Sequence, residues 1–300
     1  MKTIIIKSLN ELFNKEPLAL MLGNFDGFHK GHQQLLKVLK EKDIKKGLLT
    51  FYPHPLKVLN NFDFKYLDTI KDKEIYLEND IDYLVVLSTS KELLNLTKND
   101  FIKFLKLNNV RDIVCGNDFT FGSHKSGTIK DLSLFNLSVV PDYTTNNIRI
   151  SSTKIREFLR NGNVVEAKNF LGRYYELQGL VVHGSQIGRT IGFPTANIEE
   201  NEYLLPKNGV YFGYAIIDNE KYFGMINIGV NPTINLIDKR RLEINIFDFS
   251  KDIYGKTIRV GFIDKIRDEK KFDSKEELVK TLELNRDTCI KLAKSICQNK

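Results

Sequence analysis

The pattern of the chain changes near residue 172. Before it, short apolar segments alternate with helical periodicity. After it, as far as about residue 272, short alternating segments follow one another between turn residues. In the first half "LALML" (18–22), "GLLTF" (47–51), "YLVVL" (83–87) and "DIVCG" (112–116) read as buried strands. "GHQQLLKVLKEK" (31–42) and "DFIKFLKL" (100–107) read as helices, the first with Leu35, Leu36 and Leu39 on one face. Such β-α-β alternation predicts a doubly wound parallel sheet. "SSTKIREFLRNGNVVEAKNFLG" (151–172) reads as two short helices broken near Asn161 and Gly162. In the second half "YELQGLVVHG", "GVYFGYAII", "KYFGMINIG", "RLEINIFDF" and "KTIRVGFID" suit a small barrel or sandwich. A charged amphipathic helix over 274–296 closes the chain. Two domains are expected, 1–172 and 173–300, and 300 residues suffice for both.

Bulk properties exclude more than they assign. The 42% apolar and 28% charged content is that of a soluble globular protein. The net charge of +7 suits an anionic partner of any kind, or solubility alone. Cys115, Cys289 and Cys297 form no disulfide framework and have no metal-ligand spacing, which points to a cytoplasmic protein with free thiols. "MKTIIIKSLNELF" holds too short an apolar run for a signal peptide, and no run is long enough to span a membrane.

"GNFDGFHKGH" (23–32) lies where the first of these strands hands over to a helix. Ligands of doubly wound sheets bind at such carboxyl ends. A helix start offers unpaired N–H groups and a positive dipole end, and glycines let an anion approach. His29 and His32 there can donate to a triphosphate and to the charge that develops when its α-phosphorus is attacked. The same motif could also be a helix start with two surface histidines. "RISSTKIREF" (149–158) sets Ser151, Ser152 and Thr153 before a helix carrying Lys154 and Arg156. That is either a simple N-cap or a second grip on phosphate. Both motifs in one α/β domain favour nucleotidyl transfer. "HGSQIGRTIGFPTANI" (183–198) offers glycines for a phosphate-hugging loop, and Thr195 and Asn197 as hard oxygen ligands suited to Mg²⁺. A glycine-rich β-turn is the other reading of that stretch.

"GNFDGFHKGH", "TFYPHP" (50–55), "CGNDFTFG" (115–122) and "ISSTKIR" (150–156) resemble the four blocks of the FMN adenylyltransferase module of bacterial bifunctional FAD synthetases. "GRTIGFPTANI", "GVYFGYA", "NIGVNPTI" (227–234), "RLEINIFDF" and "DIYGKTIRVGFIDKIRDEKKF" (252–272) resemble the riboflavin kinase module in order. The resemblance covers nearly the whole chain. It implies a six-stranded barrel with a C-terminal helix behind the α/β domain. It implies riboflavin phosphorylation to FMN and adenylylation of FMN to FAD and pyrophosphate, each with ATP and Mg²⁺. Riboflavin, FMN and ATP are then the partners, with no nucleic acid or membrane. Oligomeric state is not implied.

By the same resemblance His29 and His32 hold the ATP phosphates, and Ser152, Thr153 and Arg156 close over the triphosphate. Gly23, Asn24, Phe25 and Asp26 shape the nucleotide side, and Asn117 and Asp118 the FMN and adenine pocket. His54 either lines that pocket or shapes its loop. In the kinase half Gly188, Gly192, Thr195 and Asn197 take ATP, Thr195 and Asn197 take Mg²⁺, and Glu243 is the catalytic base. The chain departs from the family in two places. Ile244-Asn245-Ile246 replaces an aromatic or His-containing pattern, and "NIGVNPTI" lacks a basic residue before Pro-Thr. The rival expectations are one active module only, or a basic RNA-binding or flavin-sensing protein on the same fold.

Overall fold

The computed structural model describes residues 1–60, 62–184, 188, 191–230 and 240–298. The chain divides into two compact units, Met1–Ser152 and Thr153–Lys300.

In the first unit β1 (Lys2–Ile6), β2 (Leu18–Leu22), β3 (Lys45–Tyr52), β4 (Tyr83–Ser88) and β5 (Val110–Gly116) join a later strand in one sheet. Two short ribbons also occur, β6 (Thr120–Phe121) with β7 (Gly127–Thr128), and, after β8 (Asn136–Val140), β9 (Thr144–Thr145) with β10 (Ile148–Arg149). The main sheet runs β1-β4-β3-β2-β5-β8, and every neighbouring pair is parallel.

β2 shows why the sheet is covered on both faces. All five of its residues are buried, and their alternation feeds two separate cores. Leu18, Leu20 and Leu22 join Leu49, Val85, Leu87 and Ile113 on one side. Ala19 and Met21 join Leu48, Leu84 and Val86 on the other. Helix α1 (Lys30–Lys40) seals the second core with Leu35, Leu36 and Leu39. Between them in the chain come α2 (Pro55–Asn60), α3 (Ile70–Leu77) and α4 (Lys91–Leu94). Helix α5 (Lys98–Leu107) seals the first core with Phe101, Phe104 and Leu105. A capping box of Thr97 and Asp100 starts α5, and one of Thr69 and Asp72 starts α3.

The sheet is the doubly wound one expected from the alternation. The strands at 18–22, 47–51, 83–87 and 112–116 lie where they were read, each extended by no more than two residues at either end. The structure adds β1, which the sequence pattern does not mark as a strand. From β2 the chain runs to β3 on one side and, much later, places β5 on the other. The order therefore reverses between β2 and β5. The ligand crevice of such a sheet lies at that reversal, beyond the strands' carboxyl ends. Gly23 follows β2 there, and Asn117 follows β5.

The second unit begins with α6 (Ser152–Arg160, whose first residue closes the first unit) and α7 (Val164–Leu171). Gly172 ends α7 in the left-handed region at φ 80°, donating its N–H to the Lys168 carbonyl. Six strands follow: β11 (Tyr175–Val182), β12 (Ala196–Glu199), β13 (Gly209–Ile217), β14 (Glu220–Val230), β15 (Arg240–Ile246) and β16 (Thr257–Asp268). They close into an antiparallel barrel in the order β11-β12-β15-β14-β13-β16. The terminal helix α8 (Lys275–Gln298) packs outside it. Its Cys289, Val279, Leu282, Ile290 and Ala293 meet Val210, Phe212, Met225 and Phe247 of the wall, with Phe193 from the loop before β12. Sequence patterning ends the first domain near residue 172, whereas the packing division comes two helices earlier: α7 lies against β11 and β16.

Candidate active sites

The loop at the reversal point is fixed from below. Phe25 and Phe28 hold positive φ (49° and 31°), a backbone region that bulky side chains occupy only where surroundings compel it. Phe25 is 2% exposed and fills the space beside Gly23, where a Cβ would stand 3.0 Å from its ring. The Phe25 ring meets His32 edge-on at 5.1 Å. Asp26 is also buried; its Oδ1 accepts the Leu67 N–H at 2.9 Å. Thr50 donates its hydroxyl to the Asn24 carbonyl at 2.8 Å. The Gly27 N–H donates to Asp68 Oδ1 at 2.9 Å. Asp68 in turn pairs with Lys73, with side-chain exposures of 1% and 4%. Asp68 and Lys73 were not singled out in the sequence. Their only local signal was the Thr69/Asp72 box that orients α3.

His29 is the N-cap of α1. Its Nδ1 accepts the His32 N–H at 3.3 Å, which leaves the ring's proton on Nε2. The His29 and His32 rings stack 3.6 Å apart. Gly31 makes room for this, since a Cβ there would lie 3.1 Å from the His29 ring. Ser152 donates its hydroxyl to the Asp26 carbonyl at 2.8 Å. The two motifs read separately in the sequence thus meet: Ile150–Ser152 abuts the turn that leads into α1. Thr153 and Arg156 follow on α6 within the second unit.

Asn117 and Asp118 form an exposed turn after β5. Asp118 pairs with Arg149 at 2.6 Å, and Arg149 reaches Asp142 at 2.9 Å. The two carboxylates raise the Arg149 pKa further. Cys115, just inside the strand, has its thiol pushed up to about 11 by burial, so it is inert. His54 stacks on Phe64 at 4.0 Å and its N–H donates to the Tyr66 hydroxyl at 2.8 Å. With Asn24, Asp26, Phe51 and Lys73 it lines one small cavity.

In the barrel the register sets the second site. Glu243 of β15 pairs with Asn197 of β12 on one side and Asn227 of β14 on the other. A carboxylate thus lies in one row between two amides. Burial raises the Glu243 pKa above the ordinary glutamate value, and Arg241 partly offsets this. Asn227 was not named as a site residue. It sits at the head of "NIGVNPTI", and only the register shows that it flanks Glu243. Residues 231–239, which include the rest of that block, lie outside the described residues, as do 185–187, 189 and 190 of the glycine-rich loop.

What is described of that loop is tight. Phe193 donates its N–H to the Gly188 carbonyl at 2.8 Å. A Cβ on Gly188 would strike the Phe193 carbonyl, and one on Gly184 would strike the Asn197 amide. Gly192 sits at φ 83°, where a side chain is strained. Thr195 Oγ1 lies 3.5 Å from the Cβ position of Gly188. The loop therefore folds back on Thr195 and Asn197, which offer only neutral oxygens. Such a donor set fits a hard cation whose charge is balanced by phosphate.

A parallel sheet whose reversal point ends in an imidazole-capped helix, joined to a barrel with a half-buried carboxylate between amides, fits an enzyme with two nucleotide-handling modules. Comparison with known proteins gives the particular kind. Residues 13–154 match the FAD synthetase family model, and residues 171–293 match that of riboflavin kinase. The bifunctional riboflavin kinase/FMN adenylyltransferase of Bacillus subtilis is 35% identical over 97% of this chain and 98% of its own length. That of Listeria monocytogenes is 37% identical over 88% and 89%. A solved structure from Streptococcus pneumoniae, described as a macrolide-efflux protein, is 36% identical and superposes with a TM-score of 0.88 over 96% of this chain and 98% of its own. The chain belongs to the bifunctional riboflavin kinase/FMN adenylyltransferase family. Among the described residues no helix is long and apolar enough to cross a membrane.

Proposed function

We infer that the chain converts riboflavin to FMN in its barrel and FMN to FAD in its α/β unit, consuming one ATP in each step. In the first, the ribityl 5′-hydroxyl oxygen bonds to the γ-phosphorus, the bond from that phosphorus to the β,γ-bridging oxygen breaks, and ADP leaves. Glu243 accepts the hydroxyl proton. A base of raised pKa suits this task, since phosphoryl transfer needs its nucleophile oriented more than strongly deprotonated. Thr195 and Asn197 would hold Mg²⁺ on the ATP phosphates, where the ion supplies charge neutralisation. Gly188 and Gly192 keep the loop close to those phosphates.

In the second step a phosphate oxygen of FMN bonds to the α-phosphorus of ATP and pyrophosphate leaves. No protein nucleophile is needed. His29, with its proton on Nε2, donates to the charge that builds on the phosphates, together with His32 and the α1 N–H groups. Gly23, Asn24, Phe25 and Asp26 shape the turn that carries them. Phe25 and Asp26 do so from within the core. Ser152, Thr153 and Arg156 are assigned to the triphosphate, and Asn117 and Asp118 to the FMN and adenine pocket, on the resemblance to the family. We place the enzyme in the cytoplasm, where ATP is supplied and Cys115, Cys289 and Cys297 stay reduced.

The observation that carries this reading is the row Asn197–Glu243–Asn227, which gives the barrel a base of its own, separate from the histidine pair. Purified protein is incubated with riboflavin, ATP and Mg²⁺, and flavins are separated by chromatography. FMN and FAD are both expected. Absence of any flavin nucleotide overturns the reading, and FMN without FAD leaves the kinase alone. Glu243→Gln should stop FMN formation while added FMN is still adenylylated. Replacing His29 and His32 by Ala should do the reverse.

A further inference from the structure

Asn245, two residues beyond Glu243, is 6% exposed and donates its Nδ2 to the Pro194 carbonyl at 2.6 Å. A strand repeats its facing every second residue, so Glu243 and Asn245 share one face of β15. The same face carries Met225, opposite Asn245 on β14, which packs with Phe193 and Phe212. On the other flank the β12–β15 ladder is registered at Asn197↔Glu243 and Ala196↔Ile244 and goes no further. One more step would set Thr195 opposite Asn245, but there the backbone has left the sheet. The Asn245 side chain takes over where the ladder ends.

The bond it makes is well chosen for control of Thr195. The Pro194 carbonyl belongs to the peptide plane that contains the Thr195 nitrogen, and that plane is rigid. Pro194 fixes its own φ. Phe193 is held by its buried ring and by its N–H on Gly188. With Asn245 on the carbonyl, the approach to Thr195 is pinned at two successive residues, Phe193 and Pro194. A buried amide that lost this partner would be left with an unmet donor.

We propose that Asn245 is a positioning residue of the kinase site, which sets the Thr195 peptide for Mg²⁺·ATP through the Pro194 carbonyl. The proposal rests on the assignment of Thr195 and Glu243 to riboflavin phosphorylation. Loss of such a supporting hydrogen bond behind a metal ligand costs roughly ten-fold to a hundred-fold in affinity or activity.

The test uses the full chain and steady-state FMN formation, with MgATP and riboflavin varied in turn. Asn245→Asp keeps the shape and removes the donor. It should raise the KM for MgATP about ten-fold or more and leave the KM for riboflavin near wild type. Asn245→His, which retains an N–H donor, should recover most of that loss. A wild-type KM for MgATP in Asn245→Asp overturns the proposal. So does an equal loss of kcat/KM for both substrates in both variants with a lowered melting temperature, the mark of general damage to the barrel. Should Asn245→Asp not fold, Asn245→Ala takes its place as the donorless variant, a selective rise of about ten-fold in the KM for MgATP supporting the proposal and a wild-type value overturning it. A wild-type chain that makes no FMN refutes the kinase assignment, and this inference with it.

Discussion

Glu243 is a half-buried acid whose ionised form is disfavoured by its surroundings. As the proposed base it would work only when ionised. The acid limb of FMN formation should therefore lie above the pH at which an ordinary glutamate titrates, while FAD formation from added FMN should lack that limb. Parallel pH profiles of the two activities check this. The sign for stability is opposite. The folded-state pKa lies above the unfolded one, so the folded form binds more protons in that interval and stability falls as pH rises through it. Glu243→Gln removes this dependence, so the inactive variant should melt no lower than wild type at neutral pH.

Lys73 and Asp68 make the contrasting case. Both side chains are almost wholly buried and support the Gly27 N–H. Lys73→Met would strip a buried carboxylate of its cation, a change that costs about 3–5 kcal/mol. Denaturant unfolding of the first unit should show this loss, with FAD formation weakened and FMN formation intact.

At the level of elements, the packing of α7 has a direct consequence. Val164, Ala167, Phe170 and Leu171 are buried, and α7 lies on β11 and β16. Exposing Phe170 or Leu171 forfeits about 2 kcal/mol each. We propose that a fragment beginning at Thr153 folds with clearly higher melting temperature than one beginning at Arg173, although sequence patterning sets the functional boundary at the latter. Equal melting temperatures would show that α7 adds nothing to the barrel.

The same elements show what could be read beforehand. β2 was legible because five consecutive apolar residues, too few for a buried helix and followed by a glycine-rich turn, fit a strand covered on both faces. β1 was not. Its apolar run is short and flanked by lysines, Ile5 is exposed, and its partner Tyr83–Ser88 lies some eighty positions away. His29 and Glu243 could be picked out by motif. Asn227, Asp68 and Asn245 could not, because each acts through a register or a hydrogen bond that joins residues distant in the chain.

At the level of the molecule, two modules with separate machinery share one polypeptide and one kind of co-substrate. Removing Mg²⁺ with a chelator should halt both reactions together, whereas each point variant above halts one. The chelator should leave the melting temperature of the nucleotide-free protein unchanged. Among the described residues no group of three or more His, Cys, Asp or Glu could hold a metal, and the proposed Thr195/Asn197 site, with only neutral oxygens, would take an ion only in company with phosphate.

The strands of the barrel are not equally tied to their neighbours. β14 is bound on both sides over long stretches, its residues 220–228 to β13 and its residues 224–230 to β15. β12 is not. Only Ala196–Ile198 meets β15, and only Asn197–Glu199 meets β11. This short seam carries Asn197 opposite Glu243. The proposed metal ligand thus stands on a lightly tethered strand, while the proposed base stands on one that is also laced to β14, so that the two halves of the proposed site rest on unequal footings.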